Sequence, residues 1–262
     1  MFDSHIHTNF STDSKMTLDE VIEKSNKYNI GVVITDHFDL KSILPGEFIF
    51  NLDDYFKEYT PYRNDKLLLG IEMGMRKDCL EENREISNKY DFDFILGSIH
   101  LAEYNGEYYD IYTENYYKGR SKKEVYENYL ENMLSCVKNY DFIDSLGHID
   151  YISRYARYED TELYYDEYKE ILNEIFKELI LKDKALEINT RRLGDKHTHK
   201  HLFEIYKNFS KLGGKYVTIG SDSHKDINIG NYFNTALELA RESGLRPIYF
   251  KNRKPEFMNI KL

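Results

Sequence analysis

Short apolar segments rich in β-branched residues return along the chain at intervals of about 30 to 40 residues, separated by stretches of helical periodicity. They cover residues 2–8, 31–35, 67–73, 92–99, 142–149, 185–190 and 216–220, with a weaker one at 247–250. Without polar alternation, such runs suit strands buried on both faces. Helix starts are written between them. Thr17-Leu18-Asp19-Glu20 and Ser121-Lys122-Lys123-Glu124 are capping boxes, and Val125, Tyr129 and Met133 follow the second at i, i+4 spacing. Residues 166–181, 202–212 and 232–243 also read as helices. Strand and helix alternating from end to end means βα units around a parallel sheet, and seven or eight units in one chain suggest a closed barrel. No linker divides the 262 residues, so one domain over 1–262 is expected. Residues 39–62 and the tyrosine-rich 104–120 show weak periodicity and are read as long loops after strands, where a barrel keeps its binding residues.

Charge and composition exclude several classes. Lys and Arg number 36 against 46 Asp and Glu, a net charge of -10, and no basic block is present. Binding to a phosphate backbone, and hence a nucleic-acid partner, is not expected. No apolar run approaches the ~20 residues of a membrane span, and the start MFDSHIHT carries no signal-peptide pattern. Two cysteines, Cys79 and Cys136, make no disulfide framework and fit a reducing cytoplasm.

The histidines are not scattered. His5 and His7 sit two apart on the first segment, so a strand turns both imidazoles to one face. His37 follows the second segment after Asp36, Glu72 ends the third and His100 ends the fourth. His148 and Asp150 close the fifth, and Asp222 and His224 follow the seventh. In a parallel barrel the strand C-termini gather at one rim, so these side chains would converge from across the whole chain. A single histidine at a strand end is commonly structural. A series of them at successive strand ends is not, because each buried imidazole needs its own partner. Imidazole with carboxylate suits Zn²⁺, Mn²⁺ or Fe²⁺ rather than Ca²⁺ or Mg²⁺. The candidates exceed one tetrahedral ion's needs, so two or three ions are implied. Such clusters hold hydroxide at neutral pH and clamp phosphoryl oxygens, which is phosphoester hydrolysis.

In order, His5-x-His7, Thr35-Asp36-His37, Gly97-Ser98-Ile99-His100, Gly147-His148-Ile149-Asp150 and Gly220-Ser221-Asp222-Ser223-His224 resemble the motifs of the polymerase-and-histidinol-phosphatase (PHP) metallophosphoesterases. The opening Asp3–Thr8 stretch, the later Ser11-Thr12-Asp13-Ser14 and the chain length are most similar to the histidinol-phosphatase branch. The resemblance implies a distorted (β/α)7 barrel of TIM-like type with a trinuclear site at the strand C-terminal rim. It implies one ion on His5, His7, Glu72 and Asp222, and a second on Glu72, His100 and His148. A third falls on Asp13, His37 and His224. Many PHP proteins carry histidine where this chain has Asp13, and an aspartate there is similar to the histidinol phosphatases.

The implied reaction is hydrolysis of L-histidinol phosphate by metal-held hydroxide, with Asp222 and His224 as candidates for protonating the leaving alkoxide. Glu72 acts through its bridging position. Asp36 and Asp150 are expected to orient histidine ligands. Arginine forks match phosphate oxygens, and Arg154 and Arg192 are the expected phosphate contacts, chosen over their neighbours Arg157 and Arg191. Glu107 or Asp110 could meet the substrate ammonium. His197, His199 and His201 are placed on a solvent-exposed helix start, outside the site. The expected protein is a monomer or small homo-oligomer acting on a small phosphate ester. Its alternative substrates are a nucleotide, an oligonucleotide end or phosphotyrosine, and a non-catalytic metal-binding protein is the reading from another class.

Overall fold

A computed structural model describes residues 1–258; residues 259–262 of the expected domain lie outside the described part. The chain runs β1 (Phe2–Ile6), α1 (Leu18–Tyr28), β2 (Gly31–Ile34), β3 (His37–Phe38), α2 (Leu52–Tyr59), β4 (Leu67–Gly74), α3 (Leu80–Lys89) and β5 (Phe94–Ser98). It continues through β6 (Leu101–Tyr104), β7 (Glu107–Asp110), α4 (Lys122–Asn139), β8 (Ser145–Leu146), α5 (Tyr151–Tyr155), α6 (Lys169–Leu181) and β9 (Ala185–Asn189). The last elements are α7 (Lys196–Lys211), β10 (Tyr216–Gly220), α8 (Phe233–Ser243), β11 (Arg246–Lys251) and β12 (Lys254–Phe257).

This is an α/β fold on a mostly parallel sheet. The strand order is β1-β2-β4-β5-β8-β9-β10-β11-β12, with β3 paired to β4 and only β12 antiparallel. Every residue of β1, β2, β4, β5 and β9 is buried, as the unalternating apolar runs require. Both capping boxes form: Thr17 and Ser121 each accept from the backbone N–H of the glutamate three residues on, and that glutamate reaches back. Val125, Tyr129 and Met133 are fully buried on α4. Among the described residues no helix is long and apolar enough to cross a membrane.

Beyond β10 the chain returns to β1. Ile6 bridges Ser223, His7 N–H donates to Ser223 O at 2.8 Å, and Asp222 N–H donates to His5 O at 2.8 Å. The first motif and the last are therefore neighbours.

Two expected loops are partly ordered elements. Residues 39–62 contain α2, capped by the Asn51 side chain and buried through Leu52, Tyr55 and Tyr59. Three buried positions in eight, two of them tyrosines, made a weak periodic signal. Residues 104–120 include most of a β6–β7 hairpin turning at Asn105-Gly106, both at positive φ, as a type I′ turn demands. The fifth strand narrows to Ser145–Leu146, and the weak last segment gains β12 as a partner.

Candidate metal centre

Glu72, fully buried on β4, stands at the centre of the strand-end side chains. Its Oε1 lies 2.8 Å from His148 Nε2, 3.2 Å from His100 Nε2 and 3.4 Å from His5 Nε2. Its Oε2 lies 2.7 Å from His37 Nδ1 and 3.7 Å from His7 Nε2. The β3–β4 register sets His37 directly opposite Glu72. His5 and His7, on one face of the first strand and its extension, bring their Nε2 atoms to 3.0 Å. Asp222 Oδ1 is 3.3 Å from His7 Nε2 and 3.8 Å from His5 Nε2. Asp222 sits at φ 54, a left-handed conformation that aspartate tolerates better than most residues. Half-exposed Asp13 approaches His224 Nε2 at 3.1 Å and His37 Nε2 at 3.7 Å.

These spacings have a physical meaning. Two donors on one tetrahedral ion with bonds of ~2.0–2.1 Å are ~3.3 Å apart. The groups His5/His7/Asp222, His5/Glu72/His148, His37/Glu72/His100 and His7/His37/His224 each present donor atoms within 4.8 Å of one another. Several of the donors have no other use. His37 Nδ1, Glu72 Oε2 and His100 Nε2 are buried without a hydrogen bond, although the first two atoms are only 2.7 Å apart. They do not point along a bond to each other, and orphaned buried donors are expensive unless something else satisfies them. The residues present fit divalent ions of the zinc type.

Electrostatics agree. Burial pushes Glu72 and Asp222 upward, but the imidazoles around Glu72, and Arg154 and His5 beside Asp222, hold both pKa values well below normal. Burial and the neighbouring His224 and His37 lower the pKa of His7 well below the usual histidine range, which favours a neutral ring with one nitrogen lone pair free for an ion.

A supporting layer fixes the rings. Glu187 on β9 accepts His5 Nδ1–H at 2.7 Å and the backbone N–H of His148 at 2.7 Å through its other oxygen. Asp39 receives His100 Nδ1–H at 3.0 Å. Ser11 Oγ lies 3.1 Å from His7 Nδ1. Glu187 and Asp39 do what was expected of Asp150 and Asp36, and two corrections follow. Asp36 accepts from the N–H and hydroxyl of both Thr8 and Ser11, fastening the segment after β1. Asp150 pairs with Arg192. Glu187 was signalled by being an acid inside an apolar strand, which must be paired to be buried.

Arg154 is almost wholly buried, and its Nη1 donates to Asp222 Oδ2 at 2.5 Å while its Nε–H has no partner. Arg192, expected at the phosphate, instead spends its guanidinium on Asp150 at 2.7 Å and Glu162 at 2.5 Å. Its neighbour Arg191 is half-exposed and reaches to 3.7 Å from Asp222 Oδ2. Of the acids expected in residues 104–120, Glu107 lies exposed at the hairpin turn and binds the Tyr109 hydroxyl. Asp110 is half-buried; burial raises its pKa against the pull of His100 nearby.

The PHP domain family matches residues 3–191. A Clostridium acetobutylicum protein named "Probable histidinol-phosphatase" is 49% identical over 97% of this chain and 98% of its own length. The Lactococcus lactis histidinol-phosphatase is 34% identical over 85% of this chain and 83% of its own. A crystal structure of histidinol phosphate phosphatase from Lactococcus lactis, complexed with zinc, L-histidinol and phosphate, superposes with a TM-score of 0.87 at 31% identity. It covers 97% of this chain and 98% of that one. The chain belongs to the PHP domain family.

Proposed function

We propose that this protein hydrolyses L-histidinol phosphate to L-histidinol and phosphate, using three divalent ions held by His5, His7, Asp13, His37, Glu72, His100, His148, Asp222 and His224. The observation that carries the reading is the convergence of buried donors lacking hydrogen bonds on Glu72, beside Arg154. Full-length similarity to histidinol-phosphatases, one of them solved with zinc, histidinol and phosphate, supports the same substrate. The seven-strand run from β1 to β10 is taken as a closed, distorted (β/α)7 barrel, supported by the His7–Ser223 and Asp222–His5 hydrogen bonds. The whole chain is read as one unit, active as a monomer or small homo-oligomer in the cytoplasm.

Such ions, when bound, lower the pKa of water and neutralise charge on phosphoryl oxygens. The chain's own residues do the rest. Arg154 and exposed Arg191 flank Asp222, so two guanidinium groups stand beside the place for the phosphate dianion. Asp222, kept anionic by Arg154, is placed to accept a hydrogen bond from the attacking water and orient it toward phosphorus. His224 Nδ1–H donates to the Asp222 carbonyl, which turns Nε2 toward Asp13 and the third ion position. The half-buried Asp110 offers a carboxylate to the substrate ammonium. Tyr151, whose ring centroid is 4.8 Å from His148, leads through Tyr155 to the exposed Tyr112 as a wall for the imidazole.

Phosphate release by metal-loaded protein from L-histidinol phosphate, p-nitrophenyl phosphate and a nucleoside monophosphate tests this. A kcat/KM for L-histidinol phosphate orders of magnitude above the others, lost in Asp222→Ala, is expected. Equal slow turnover of all three would overturn the substrate assignment.

A further inference from the structure

A second set of imidazoles lies outside the reaction described above. His197 and His201 stand one turn apart at the start of α7, with Nε2 atoms 3.2 Å from each other and ring planes at 80°. His197 is exposed and His201 half-buried, so solvent reaches the pair.

The pair is held in place. The Asp195 side chain caps α7 by accepting from Thr198 N–H at 2.8 Å. Thr198 Oγ1, on the turn between the two histidines, donates to Glu162 at 3.0 Å. The ring of Tyr164 packs edge-on against His201 with centroids 4.4 Å apart, and its hydroxyl donates to Asp160 at 3.2 Å. His201 is thus braced from the side by a tethered tyrosine.

Two facing imidazole nitrogens share at most one proton between them. Their 3.2 Å separation matches the ~3.3 Å edge of a tetrahedral shell with ~2.0–2.1 Å bonds. Histidines at i, i+4 on one helix face are the geometry used to chelate such ions. The adjacent Lys196 and Lys200 add positive charge. That charge works against hard ions held by charge alone and leaves those drawn to imidazole itself.

We propose that His197 and His201 form a separate two-imidazole site for a Zn²⁺, Ni²⁺ or Cu²⁺ ion, with water completing the shell. An ion there joins the first two turns of α7. Thr198 on those turns holds Glu162, and Glu162 holds Arg192, so the ion stiffens the helix that braces the Arg192–Asp150 pair.

The test is titration with Ni²⁺, by calorimetry, of full-length protein carrying three equivalents of Zn²⁺ and no more, with zinc and nickel counted in the same samples. Wild type should take up one further equivalent of nickel without losing zinc, and its thermal midpoint should rise. His201→Ala should lose that equivalent and the thermal shift while keeping its zinc and its phosphatase activity; His199→Ala should keep all of them. Nickel uptake equal in wild type and His201→Ala overturns the proposal, as does uptake matched by zinc release.

Discussion

Glu187 and Asp39 show how a carboxylate that is not itself in a motif can decide whether the motif works. Each accepts from the Nδ1 side of a histidine whose Nε2 faces Glu72, fixing tautomer and ring orientation together. Glu187→Gln and Asp39→Asn should each lower metal affinity or kcat/KM by about 10–100-fold with the fold retained, as metal titration and circular dichroism will read. The arginines separate in the same way. Arg191→Ala should raise KM for the phosphate ester and leave the thermal midpoint unchanged. Arg192→Ala leaves Asp150 without its ion-pair partner and Glu162 with only the Thr198 hydroxyl, so it should lower stability by up to about 3–5 kcal/mol in a denaturant titration. The strand-end histidines were legible because imidazole is rare at such positions. The supporting acids were not, because an acid's partner is known only when strands adjacent in space, such as β9, β10 and β1, are brought together. That Arg191 and not Arg192 faces Asp222 turns on side-chain direction at a short helical turn, which spacing does not carry.

Secondary structure was readable where one physical rule dominates. Buried parallel strands and capping boxes each carry such a rule, and β1, β4, α1 and α4 appear where their signals lie. α2 was hidden because its buried face is largely tyrosine, and β6–β7 because the Asn105-Gly106 signal lay in a stretch dominated by polar and aromatic residues. Gly220 shows an element's demand on one residue. A Cβ there would overlap the Cβ of His5 and the Glu187 carboxylate, so β10 could not lie this close to β1. Gly220→Ala should therefore reduce thermal stability and catalysis together. Thr17→Ala removes only the cap of α1; it should cost about 0.5–2 kcal/mol of stability and leave kcat/KM unchanged, a contrast that urea melts and steady-state kinetics will show.

Across the whole molecule the ends of the chain are bound to each other through the site. Asp3 accepts from the backbone of Ser221 and Gly230, and Asp222 meets His5, so residues more than two hundred positions apart share one cluster. At the β11–β12 turn, Arg253 pairs with Asp144 and its N–H donates to Asp93 O, tying the last hairpin beneath the central strands. Ions on the cluster would link β1, β4, β5 and β10, so a chelator should abolish activity and also lower the thermal midpoint, both reversed by Zn²⁺ or Mn²⁺. The most direct check is the anomalous difference map of a crystal of the Zn²⁺-loaded protein with phosphate. Three peaks around Glu72, within bonding distance of His5, His7, Asp13, His37, His100, His148, Asp222 and His224, are predicted. A map with no peak at these side chains, from protein that retains activity, would contradict the account.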